Sequence, residues 1–172
     1  MLVSKHFPGR HLTRRSAPSQ LRAPSGGFSL IELLVTISIG AIFTALAAPA
    51  FRDFVAGQRV KTASNDISYT LTGARSEALK RNLNIVVAPG TGGWQSGWTI
   101  TAGVGGPTLS QHEAFADLTI SGPASTLTYN SSGRLAAAVT PFTVTSNVSS
   151  SVSSRCVSVD LSGLPSSKVG AC

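Results

Sequence analysis

The side chain in this chain of 172 residues with the clearest chemical problem is a single carboxylate, Glu32. It stands near the start of an apolar run, Phe28-Ser29-Leu30-Ile31-Glu32-Leu33-Leu34-Val35, which continues through Ile37, Ile39, Ile42 and Phe43 to Ala48. A carboxylate inside such a run costs on the order of 2.5–3.5 kcal/mol in a bilayer centre and less near its surface, so it calls for a partner. Cys156 and Cys172 form a second chemical pair, with fifteen residues between them. In an exported domain the expectation is a disulfide, worth about 3 kcal/mol by restricting the unfolded chain; the alternative is two buried free thiols. There is no CxxC, and beyond the first eleven residues the one histidine is His112, so no metal site is expected. His112 is read as a solvated loop histidine beside a Gly-rich stretch, with no nucleophile elbow or acidic pair, so the chain is not read as an enzyme. No GxxxxGK[ST] is present, the glycine clusters lack a phosphate loop's lysine, and no cofactor is expected.

These residues need elements to position them. Residues 1–27 hold Lys5, Arg10, Arg14, Arg15 and Arg22, no acid, and Pro8, Pro18 and Pro24; they read as an unfolded basic leader. From Phe28 onward nine basic and seven acidic residues leave a formal charge of only +2, so the basic character belongs largely to the leader. Leu33 to Phe51 is nineteen residues without a charge, long enough as a helix to cross a bilayer core of about 30 Å. The basic flank on its N-terminal side keeps the leader cytoplasmic and sends the rest across.

A helical stripe continues beyond the apolar run. Val60, Ala63, Ile67, Leu71, Ala74 and Ala78 recur at spacings of three and four, opposite Arg59, Lys61, Asp66, Arg75, Lys80 and Arg81. One helix from about Ser29 to Arg81 is expected, bent at Pro49. After Asn82 short β-rich runs follow at 83–88, 98–102, 114–121, 126–129, 142–146 and 156–161, separated by loops at 90–93, 103–107 and 130–133. The fold class is therefore α+β, a long N-terminal helix packed on an antiparallel sheet. The organisation is a leader at 1–27, a transmembrane helical half at 28–57, an amphipathic half at 58–82 and a β-rich domain at 83–172.

Gly26-Gly27 followed by Phe28-Ser29-Leu30-Ile31-Glu32 resembles the type IV prepilin signature, and the chain is identified as pilin-like. The resemblance implies cleavage between Gly27 and Phe28 by a prepilin peptidase, where a glycine lets the protease approach the backbone. It also implies methylation of the freed Phe28 amine and pairing of that amine with Glu32 during assembly. Ala74-Arg75-Ser76-Glu77-Ala78-Leu79-Lys80-Arg81-Asn82, Ile85-Val86-Val87, Gly97-Trp98, Tyr129–Arg134 and the two cysteines resemble the GspH/FimT group of minor pilins and pseudopilins. This second resemblance implies an inner-membrane, single-pass protein with a periplasmic C-terminal domain. It would join the tip or initiation complex of a type IV pilus or a type II secretion pseudopilus. Its partners would be prepilin peptidase, other minor and major pilins or pseudopilins, and an inner-membrane assembly platform.

Two other readings compete. A secretory signal peptide cut after Ala45-Leu46-Ala47 explains the basic flank, but not the length of the run, Glu32 inside it, or a stripe continuing past the cut. DNA capture, known among members of this group, would use a basic Gly-Arg-x-Arg stretch. Here the stretch is Gly163-Leu164-Pro165-Ser166, which leaves Arg134, Arg155 and Lys168 as candidate contacts. Trp94 and Trp98 could stack on bases, although packing is the commoner use of such residues. So few cations give little phosphate affinity at physiological salt, and nucleic acid remains the alternative partner.

Overall fold

The computed structural model describes residues 27–172; of the expected leader only Gly27 falls among them, and the rest lies outside the described residues. The chain divides into two compact units, Met1–Gly40 and Ala41–Cys172. Helix α1 spans Leu30–Arg81, within one residue of the expected start, and stays helical through Pro49. It ends where Asn82 takes a left-handed φ of 52° and Leu83 N–H reaches back to the Ala78 carbonyl at 3.3 Å. That is a Schellman-type stop, and Asn tolerates the left-handed region better than most side chains.

Eight strands follow: β1 Ile85–Gly90, β2 Gly93–Ala102, β3 Thr108–His112, β4 Leu118–Ser121, β5 Leu127–Tyr129, β6 Phe142–Ser146, β7 Arg155–Val159 and β8 Pro165–Val169. All pairings are antiparallel. They form two four-stranded sheets, β3-β2-β1-β5 and β4-β6-β7-β8, where the sequence suggested a single one. Alternation fixes which face of a strand is buried but not which strand lies beside it.

Both sheets turn one face to the helix. Val60, Ala63, Ile67, Leu71, Ala74 and Ala78 are all buried, and they share one core with Ile85, Val87, Ile100, Leu118, Leu127, Phe142, Val144 and Val157. Trp94 and Trp98 belong to this core rather than to an exposed stacking platform. Their indole N–H groups are satisfied by the Pro123 carbonyl at 2.8 Å and the Thr70 hydroxyl at 3.0 Å.

His112 lies at the end of β3, not in a loop. Its ring stacks on both Trp98 and Phe115, with centroids 4.3 and 4.6 Å away in a cluster of three rings, and its Nε2 is 3.5 Å from Asp66. Gly97 makes this edge possible: its φ is +87°, and a Cβ there would collide with the His112 carbonyl oxygen.

Candidate processing and assembly site

Ser29 precedes the first helical residue, and its carbonyl accepts from Leu33 N–H at 3.1 Å, so it occupies the N-cap. Phe28 is thus the last residue before the cap, and its side chain is 73 % exposed. Gly27, one residue earlier, has open space where a Cβ would stand. The Gly27–Phe28 bond therefore sits in non-helical backbone at the foot of a helix, where a peptide bond is accessible to an enzyme.

Glu32 falls in the first turn of the helix. Among the described residues its carboxylate has no hydrogen-bond or ion-pair partner. The positive end of the helix dipole favours a carboxylate there, and that is the support the chain itself supplies. Around it Leu30, Ile31, Leu33, Leu34, Val35, Ile37, Ile39, Ile42, Phe43 and Leu46 are all exposed. The intervening hydroxyls turn inward on their own helix, Thr36 to the Leu33 carbonyl at 2.8 Å and Ser38 to the Leu34 carbonyl at 2.7 Å, so little polar surface remains. By length and composition this helix is able to cross a membrane. An apolar surface unsatisfied within the chain, with one unpartnered carboxylate in its first turn, is suited to packing among other helices.

Comparison with known families agrees with this geometry. Residues 22–48 match the prokaryotic N-terminal methylation motif, and residues 63–163 match the family described as type II transport protein GspH. The chain belongs to the GspH family of pilin-like proteins.

Its fold is similar to two crystal structures of the type IV minor pilin FimU of Pseudomonas aeruginosa. One is 22 % identical with a TM-score of 0.58, covering 67 % of this chain and 92 % of that one. The other is also 22 % identical, with a TM-score of 0.55 and coverage of 63 % and 91 %. It is also similar to the minor pseudopilin EpsH from the type 2 secretion system of Vibrio cholerae, at 16 % identity, TM-score 0.50 and coverage of 64 % and 97 %. No curated protein sequence matches the chain.

In this GspH-family chain Cys156 and Cys172 are joined by a disulfide, with Cα atoms 5.1 Å apart. It ties β7 to the C-terminal residue, whose sulfur lies against Phe142 and Thr143 of β6. The candidate DNA contacts do not converge. Arg155 opposes Val169 in the β7–β8 ladder while Cys156 opposes Lys168, so Arg155 and Lys168 project from opposite faces. Arg134 closes a separate turn, its backbone N–H donating to the Asn130 side chain at 3.0 Å.

Gly163, which begins the stretch aligned with a DNA motif, has a structural part to play. Its φ is +82°, and a Cβ would collide with the Gly133 carbonyl oxygen, so the turns at 130–133 and 160–163 press together. Arg75 Nε donates to the Gly133 carbonyl at 3.0 Å, and the Tyr129 hydroxyl to the Gly163 carbonyl at 3.3 Å. Burial pushes the Tyr129 phenol up to about 12. Sequence reasoning treated Arg75 as a solvated helix charge and missed this junction. The signal was the pair of glycine-containing turns, each with an Asn or Asp three residues ahead of the glycine.

Proposed function

We propose that the chain is a minor pilin or pseudopilin, made as a precursor, cut between Gly27 and Phe28, methylated on the Phe28 amine, and assembled through its N-terminal helix into a tip or initiation complex. The observation that carries this reading is Glu32, an unpartnered carboxylate four residues after the scissile bond's new N-terminus, on a helical half whose apolar side chains are all exposed. In a packed bundle of such helices water is scarce, and attraction between Glu32 and the Phe28 amine is weakly screened. That pairing favours one axial register between neighbouring subunits, as buried polar pairs do in some assemblies. The energy for extraction comes from a motor outside this chain, acting through an inner-membrane platform. The β-rich domain then faces the periplasm, where the disulfide is stable. The role is structural rather than catalytic.

Likeness to both FimU and EpsH leaves the type IV pilus and the type II secretion system as the two settings, and neighbouring genes for pilus biogenesis or for secretion distinguish them. The DNA-receptor reading gains nothing from the placement of Arg134, Arg155 and Lys168.

The test compares wild type with Glu32→Ala. N-terminal mass spectrometry should find both beginning at a methylated Phe28 in the inner membrane. Recovery in the tip complex or sheared-filament fraction should fall for the variant alone. A mature start at Ala48 overturns the pilin reading in favour of a signal peptide. Equal recovery of both proteins removes Glu32 as the assembly determinant, and blocked cleavage in the variant reassigns it to recognition by the peptidase.

A further inference from the structure

The end of the apolar run carries a group of side chains that neither processing nor the helix bundle uses. Phe51 and Phe54 are 67 % and 61 % exposed, although they lie on the globular unit's part of the helix. Between them Arg52 extends a guanidinium that has no hydrogen bond or ion pair among the described residues. Beside them lies the serine-rich loop that comes after β6. Ser151 donates to the Asp53 carboxylate at 2.7 Å and pins the loop against the helix, so that Val148, 57 % exposed, stands at the level of Phe51 and Arg52. Together Phe51, Arg52, Val55, Ala56, Arg59 and Val148 line an open groove of about 410 Å³.

Charge and position together identify an occupant. The groove is apolar apart from two arginines, of which Arg59 pairs with Asp117; Asp53 accepts from Ser151, so Arg52 is the groove's unpaired cation among the described residues. An apolar groove with one unpaired guanidinium at its rim fits a molecule with an anionic head and an apolar body. Leu33–Phe51 rises about 28 Å as a helix, close to the thickness of a bilayer core, so Arg52 falls at its far boundary. Arginine is suited to phosphate there because its planar fork donates two bonds at once. Aromatic and aliphatic side chains flanking a cation are the usual composition of a surface that sits among headgroups.

We propose that this groove is a docking site for anionic phospholipid headgroups, so that Phe51, Phe54 and Val148 dip into the interface while Arg52 binds phosphate. The proposal rests on the reading of the helix as a membrane span. Headgroup docking would hold the globular unit on the membrane surface before assembly, and extraction into a filament would break that contact.

The experiment uses the full chain carrying a nitroxide on Val148→Cys, reconstituted into vesicles of phosphatidylcholine alone or of equal parts phosphatidylcholine and phosphatidylglycerol. Collision with oxygen and with an aqueous nickel chelate reports the depth of the label. In phosphatidylglycerol vesicles the label should be reached by oxygen and protected from nickel, and Arg52→Gln should lower the docked-to-free ratio about fivefold. A label on Leu164→Cys, in the turn that packs near Arg75, should stay aqueous throughout. Co-flotation of the protein with the vesicles tests the span separately, and failure to float overturns that reading. A floating protein whose Val148 label is aqueous in both lipids overturns headgroup docking alone. Protection from both reagents that grows with protein density assigns the groove to a second copy of the chain and also overturns it.

Discussion

The two halves of one helix solve opposite problems with the same backbone. From Leu30 to Phe51 large apolar side chains point in every direction, and none of them is buried. From Ala56 to Ala78 the apolar residues fall on one stripe, most are small, and the stripe is buried to 2 % exposure or less. A helix that is apolar all round finds no polar face to turn to water and must be covered from outside the chain. A helix with a stripe is satisfied from within, by the two sheets. Helicity itself therefore says little here; the angular distribution of apolar residues separates the segment left to be covered from outside the chain from the segment that packs on the sheets.

The largest effect that sharpens this contrast is a truncation in each half. Leu71→Ala removes a fully buried side chain and should destabilise the domain by about 2–5 kcal/mol. Leu34→Ala should leave stability unchanged within about 0.5 kcal/mol. Thermal unfolding followed by near-ultraviolet circular dichroism in detergent micelles measures both. Equal losses would mean that the first half also folds against the domain.

Next in size is the disulfide. Reduction, or replacement of Cys156 and Cys172 by serine, should cost about 3 kcal/mol, since the bond closes a short loop over the edge strand β8. Unfolding in denaturant with and without reductant reads it. An unchanged midpoint would show that β8 is held by its ladder alone.

A smaller effect concerns the junction under Arg75. Tyr129 titrates at about 12 in the fold against 10.0 as its ordinary value. The neutral phenol's burial therefore contributes fully below pH 10, and the contribution is lost as pH rises from 10 towards 12. The decline should approach about 3 kcal/mol and be absent in Tyr129→Phe. A variant that declines as steeply as wild type places the alkaline transition elsewhere.

The smallest lies at the helix end. Arg81 bonded to Glu77 holds that carboxyl below its ordinary 4.5, with Lys80 adding to the attraction. Its contribution is present above pH 4.5 and lost as pH falls through the lower folded value, so amide protection factors at Leu79–Arg81, corrected for the intrinsic rate at each pH, should fall in acid. Glu77→Gln should remove that acid dependence and leave the core amides of Leu71 and Ala74 unchanged.

How much was legible in the sequence depends on where the burial lies. The long helix and its stripe were legible because burial on one side of a helix imposes a period of three and four, and Val60 to Ala78 keeps it. Strand β6 was legible to the residue, because Phe142 and Val144 alternate with threonines. Strands β3 and β8 were missed because both are edge strands lying mostly in solvent, so no apolar alternation marks Thr108–His112 or Pro165–Val169. His112 was misplaced for the same reason.

What the sequence by itself determined is chemistry carried by neighbours along the chain: the Gly27–Phe28 bond, Glu32 four residues on, and an apolar run with no polar face. Those features lie at short spacings that no fold needs to bring together. The tertiary structure alone decided which distant groups meet. It divided the strands into two sheets, locked the turns at Gly133 and Gly163 onto Arg75 and Tyr129, and set Arg155 and Lys168 on opposite faces of one ladder. It also pinned the serine-rich loop to Asp53, which places Val148 beside Arg52. Pairing between distant segments depends on register and on close backbone approach, and neither leaves a period in the sequence.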